Sequence, residues 1–193
     1  MTASVHDFFG GDKVDLAGLA GHFDGLDDGA RAAAAGTLDA REQARLYEAA
    51  AGFRPLTLAD FVPERVAPLE EVIHSGRNSL AMFTRFEKRF CRPLTGEARL
   101  WGYNEQSLKW LTGPGYFVCY PIDAGQVLID YCEVPPGKPD AWPPILPNSA
   151  RLSRFVYYRT RDTMRGVSPH VSIGRAAREG KPMDNWFVLC RRE

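Results

Sequence analysis

The amino-acid sequence predicts an α+β protein, with N-terminal helices packed on a strongly bent antiparallel sheet or partial β-barrel. Three observations lead there. Apolar residues early in the chain recur at spacings of three and four, which marks one face of a helix. From about Arg99 onward, short aromatic and β-branched runs alternate with turn residues, the pattern of antiparallel strands. Several of those runs, Tyr116–Tyr120 and Trp186–Cys190 among them, are apolar on both faces. A sheet built from them must be covered on both sides. Helices cover one face; more helix, or the sheet curling on itself, covers the other. The 193 residues are read as one domain, 1–193, with a helical part over 1–92 and an antiparallel β part over 93–193.

Within the helical part, Val14, Leu16, Leu19, Phe23 and Leu26 form one stripe, with Asp27 or Asp28 as cap for a following helix through Arg31–Ala35. Thr37 is placed as N-cap of a helix over Leu38–Ala51, whose inner face is Ala40, Ala44, Tyr47 and Ala51, with Gly52 just beyond its end. Thr57-x-x-Asp60 opens a single helical turn after a proline-punctuated connector. The segment His74–Asn78 reads as a polar loop, capped at Asn78 or Ser79. A helix then carries Leu80, Phe83, Phe86 and Phe90 and ends at Pro93. On that reading Glu87, Lys88 and Arg89 lie on its solvated side, and the phenylalanines fill the concave face of the sheet.

The strand runs are Leu100–Glu105, Leu108–Leu111, Tyr116–Ile122, Gln126–Glu133, Arg154–Thr160, Gly166–Arg175 and Asn185–Arg191. Tyr116–Ile122 and Gln126–Cys132 form a hairpin over the glycine-containing link Asp123–Gly125. Thr112–Gly115 is a turn rather than a phosphate loop, because no GxxxxGK[ST] follows it. Pro135, Pro136, Pro139, Pro143, Pro144 and Pro147 exclude a central strand between 135 and 147. That segment is expected to wrap the sheet as a stiff crossover; the alternative is a lid with Trp142 as its aromatic wall.

Composition narrows the function classes. The net charge is zero, so neither nucleic acid nor an anionic membrane is an expected partner. No run reaches the roughly 18 apolar residues of a membrane span, and Met1–Leu16 lacks the pattern of a secretory leader. Cys91, Cys119, Cys132 and Cys190 form no CxxC pair and are read as reduced residues, mostly core, of a cytoplasmic protein. HExxH is absent, so no metal is expected. No cofactor is expected either; the one left open is a haem on His170, since a single histidine suffices in some haem sites.

Candidate chemistry concentrates between Arg154 and Arg175, read as two strands hinged near Asp162–Gly166. Ser168, His170 and Ser172 share one face, which is either the solvent side of an edge strand, the simpler reading, or the lining of a cavity. His170 has the titration range of a general base. Its serines lie about 7 Å away along a strand, too far for a nucleophile–base pair. Asp130, in an apolar run, is either ion-paired to Arg159, Arg161 or Arg165, or tuned for proton transfer. Ligand-binding candidates are Arg165, Arg159, Tyr103, Trp142 and Arg77, the last as an anion-holding arginine beside a helix start. Together these suggest a small-molecule-binding protein, with an aromatic pocket and an arginine–histidine polar end that holds an apolar or anionic ligand. The alternatives are a cofactor-independent acid–base enzyme of lyase, isomerase or cyclase type using His170 or Asp130, and a structural or interaction protein.

Overall fold

The computed structural model describes residues 3–80, 84–106, 113–148 and 157–193. Eight antiparallel strands close into a barrel in simple chain order, β1 (Val72–Asn78), β2 (Arg85–Cys91), β3 (Leu100–Glu105), β4 (Tyr116–Ile122), β5 (Gln126–Asp130), β6 (Thr160–Gly166), β7 (Val171–Arg178) and β8 (Lys181–Arg191). Closure comes from β8 pairing with β1, where Ser75 faces Cys190. Among the described residues it leaves no strand of the barrel with an unpaired edge. Four helices precede the barrel: α1 (Leu16–Asp24), α2 (Asp28–Ala35), α3 (Ala40–Ala49) and α4 (Leu58–Phe61). The expected α+β architecture of helices on a curled antiparallel sheet is therefore present, with the curl carried to full closure.

The helices begin where short acidic side chains satisfy their free amides. Asp15, Asp27 and Asp39 accept from Gly18, Ala30 and Glu42 at 2.8–3.0 Å. Each such cap is worth about 1 kcal/mol. Thr37, expected as the cap of α3, instead donates its hydroxyl to the Ala34 carbonyl at the end of α2, and Asp39 takes the capping position. The three longer helices bury Leu16, Leu19, Phe23, Leu46 and Tyr47 against the outward side chains of β7 and β8, chiefly Val171, Ile173, Val188 and Cys190. On another side of the barrel Trp142 lies against Tyr103 and Tyr116 on the outer face of β3 and β4, and its indole N–H donates to Glu71 at 2.6 Å. The proline-rich segment is thus a wrap. These two coverings explain why Trp186–Cys190 and Tyr116–Tyr120 are apolar on both faces.

Inside, a column of rings runs along the lumen: Phe61 on Phe90, Phe90 on Phe117, Phe117 on Tyr131, Tyr131 on Tyr157, at centroid separations of 5.1–5.4 Å. Phe61 belongs to α4, which plugs one end of the barrel. It is held there by the Asp60 carboxylate, which takes the Thr57 amide and hydroxyl, and by the Asp60 carbonyl, which accepts from Arg191. His74 stacks on Phe61 and donates to its carbonyl at 3.0 Å.

Several expectations fail in instructive places. The expected loop at His74–Asn78 is β1, and the expected phenylalanine helix is β2 from Arg85 onward. The spacing of Phe86 and Phe90 fits one face of a strand as well as of a helix. In the barrel Gly76 lies beside the Phe86 ring, where an added Cβ would come within 2.5 Å of it. Among the described residues the last α-helix ends at Phe61 and strands begin at Val72. The expected hinge at Asp162–Gly166 is regular β6 instead, and the chain turns at Val167–His170. Tyr157–Arg159 forms a turn rather than a strand, with Arg159 in the left-handed region at φ 57°. The strands expected at Leu108–Leu111 and over residues 154–156 lie outside the described residues, as does Phe83. The hairpin over Asp123–Gly125 is present as expected. Among the described residues no helix is long and apolar enough to cross a membrane.

Candidate functional site inside the barrel

Strand alternation sends Phe86, Lys88 and Phe90 of β2 into the lumen, and register does the rest. Lys88 stands directly opposite Asn104 of β3, and Asp162 of β6 projects from across the barrel. The Lys88 ammonium donates to Asn104 Oδ1 at 2.9 Å, to the Tyr131 hydroxyl, and to Asp162 Oδ2 at 3.5 Å. Asn104 Nδ2 in turn donates to the Tyr131 hydroxyl at 3.0 Å. Four rings surround the amine, those of Phe86, Phe117, Tyr131 and Phe187, with centroids 4.9–5.6 Å from Nζ.

The lysine and aspartate side chains are only 3% and 5% exposed, a depth at which ionisable groups need strong compensation. Burial pulls the Lys88 ammonium below the usual lysine range, opposed by the adjacent Asp162 charge. Burial likewise raises the Asp162 carboxyl, with Lys88 opposing. Both shifts favour the neutral amine and neutral acid. Tyr131 is raised well above an ordinary phenol, by burial first and by Asp162 second, so it is a proton donor in this cluster and not a phenolate.

Above this cluster lies a cavity of about 300 Å³. Its inner wall is Lys88, Asn104, Tyr131, Tyr157 and Asp162, and its outer boundary is set by partly exposed residues such as Asn78, Leu80, Met183 and Asn185. Two aromatic walls, Phe86 and Phe187, meet edge to face at 5.9 Å. The arrangement offers one amine, one carboxyl, two phenols and one amide at the inner end of an aromatic chamber.

No family model, curated protein or solved structure matches the chain. Function must therefore be argued from this chamber and from the placement of the residues singled out in the sequence. None of the candidate catalytic or ligand-binding residues lines it. Asp130 is on the outer face of β5, where its carboxylate accepts from Arg161 Nε at 2.9 Å, the Tyr120 hydroxyl at 3.0 Å and the Cys132 amide at 2.8 Å. Of the three arginines expected as partners, Arg161 is the one that pairs. His170 sits in the turn before β7, its Nδ1 accepting from Arg191 at 3.1 Å. Burial and the Arg31 and Arg191 charges lower its pKa. The void beside it measures about 10 Å³, far below the size of a porphyrin. Ser168 and Ser172 are buried, so the expected solvent-facing Ser–His–Ser row does not exist. His170 and Asp130 are not brought together.

The ligand-binding candidates all lie outside the chamber. Arg165 lies 3.9 Å over the Tyr47 ring and donates to the Tyr47 carbonyl, tying α3 to the barrel. Arg159 is exposed and pairs with Glu179 at 2.6 Å. Tyr103 and Trp142 belong to the outer wrap. Arg77 is on the outer face of β1, in a groove under α2 shared with Arg85, Glu87 and Arg192. Sequence reasoning missed Lys88, Tyr131 and Asp162 as site residues, and reached Asn104 only as the middle of a polar triplet with Tyr103 and Glu105. One signal was available: Phe86-x-Lys88-x-Phe90 places a lysine on the same strand face as two phenylalanines.

Proposed function

We propose that this protein is a cytoplasmic small-molecule-binding protein whose ligand occupies the barrel chamber. The observation that carries the reading is the chamber itself, about 300 Å³ bounded by Phe86, Phe187, Tyr131 and Tyr157, with hydrogen-bonding groups gathered at its inner end. Apolar walls with a few convergent polar groups are the usual anatomy of ligand sites, and this volume is at the lower end of their range. The ligand is therefore small, with a planar apolar body and a polar atom directed at Lys88, Asn104 or Tyr131. The polar end is a lysine–aspartate–tyrosine cluster in place of the arginine–histidine end expected from sequence. Four free cysteines, three of them buried, are consistent with a reducing compartment.

Saturation-transfer NMR with benzaldehyde, benzyl alcohol and benzoate tests this directly. Ala176, a buried lining residue on β7, is replaced by phenylalanine to fill the chamber. At least one probe is expected to show transfer from the native protein and none from a folded Ala176→Phe variant. Equal transfer from both proteins, or none from the native protein with any probe, overturns the reading.

A further inference from the structure

The chamber's polar end carries a more specific inference, which rests on the binding reading above. We propose that Lys88 is an imine-forming amine, and that the chamber takes a small aldehyde or ketone with a planar, apolar body.

Three features of the geometry lead to this class. Lys88 is the one primary amine among the described lining residues. Its Nζ is ringed by four aromatic side chains, which limit hydration of the amine. The charge of the ammonium form is already answered by Asp162 at 3.5 Å. A cation neutralised in place has little left to offer an anionic ligand, but a neutral amine beside a neutral acid offers a nucleophile and a proton donor together. Burial moves both groups toward those neutral forms.

The chemistry balances without a further reactant. The Lys88 amine adds to the carbonyl carbon, the C–N bond forms as the C–O π bond opens, and one amine proton passes to the carbonyl oxygen to give a carbinolamine. Asp162 or Tyr131 then protonates the hydroxyl, water leaves, and the remaining N–H proton returns to the cluster as the C=N bond forms. The net change is amine plus carbonyl to imine plus water. Asn104 and Tyr131, both bonded to Nζ, orient the amine; Tyr157, stacked on Tyr131 at 5.2 Å, extends the flat wall against which the carbonyl compound lies.

The chain has five lysines, Lys13, Lys88, Lys109, Lys138 and Lys181, which makes the test clean. Native protein is incubated with benzaldehyde and sodium cyanoborohydride at neutral pH, and the benzylated sites are mapped by peptide mass spectrometry. Lys88 is expected to be labelled on the order of ten-fold faster than any other lysine, since a desolvated amine carries a larger neutral fraction at that pH. Its labelling should also persist at lower pH than theirs. A folded Lys88→Arg variant, which keeps the cation but lacks the nucleophile, should lose the fast site. Uniform labelling of all five lysines, or a Lys88 slower than the exposed ones, overturns the imine inference. If benzaldehyde shows transfer in that case, the binding reading stands without it; absence of transfer from every probe removes both.

Discussion

The Lys88–Asp162 pair offers the sharpest test of whether the barrel interior is built for stability or for chemistry. At 3.5 Å and an effective dielectric of about 20, the attraction is ~5 kcal/mol. Each buried ion also carries a desolvation cost of several kcal/mol, so the net contribution of the pair is close to zero. Replacing one partner leaves the other buried alone. Lys88→Met and Asp162→Leu should each cost about 3–5 kcal/mol, whereas the double variant should match the native protein or exceed it by about 1–4 kcal/mol. Urea denaturation followed by far-UV circular dichroism reads all four proteins. The Lys88→Met deficit should also depend on pH in a defined direction. With its counter-charge gone, the Asp162 carboxyl titrates even higher in the fold than in the unfolded chain. Stability then falls as pH rises from the unfolded value through the folded one, and the deficit is mildest in acid. A double variant that loses the sum of both single losses would refute the reasoning, because the two groups would then be stabilising independently.

Two further predictions concern groups outside the chamber. His74, buried between Phe61 and Phe90, has its pKa lowered to about 3 by burial first, with the Arg191 charge adding to the shift against the hydrogen bond to Phe61. A histidine depressed in the fold stabilises nothing by protonation. Stability should fall as pH drops from about 6.5 toward 3, by at most about 5 kcal/mol, and acid titrations of His74→Phe should lack that slope. For Asp130, Asp130→Ala removes three hydrogen bonds on the outer wall and should cost about 2–3 kcal/mol in urea melts. Probe transfer in the NMR experiment should be unchanged.

Much of the architecture was legible because local signals agreed with one another. Apolar stripes mark α1 and α3, Asp27 marks the start of α2, and the glycine link between Tyr116–Ile122 and Gln126–Cys132 marks the β4–β5 hairpin. The double-faced apolar runs correctly required cover on both sides. What misled was the stretch from His74 to Phe90, where Phe86 and Phe90 fit two periods at once and a charged Glu87–Lys88–Arg89 triplet looked solvated. Two of those three do lie on the outer face, where Arg89 bonds Glu87 and Glu71; Lys88 alone turns inward. The site was hidden for a different reason. Lys88, Asn104, Tyr131 and Asp162 come from four separate parts of the chain, and only register and barrel closure bring them into one cluster.

The placement of polar groups then separates two kinds of residue by cost. Both faces of this barrel wall are covered over much of its surface, so outward polar side chains have coverings to attach. Arg165 holds α3, Asp130 joins β5 to β6 through Arg161, and Glu71 receives the Trp142 indole. Each has a structural task equal to its burial. Inward polar groups have no covering to attach, and the ring column from Phe61 to Tyr157 shows that the same lumen packs well without charge. At the α4 end that is largely how it is filled, by Leu56, Val62, Val72, Phe90 and Leu189. At the chamber end a lysine, an aspartate and an asparagine occupy positions where leucine, valine or phenylalanine would be at least as stable. The cluster links β2, β3 and β6 across the lumen with no net gain over apolar packing, and it is confined to the end of the lumen that holds the chamber.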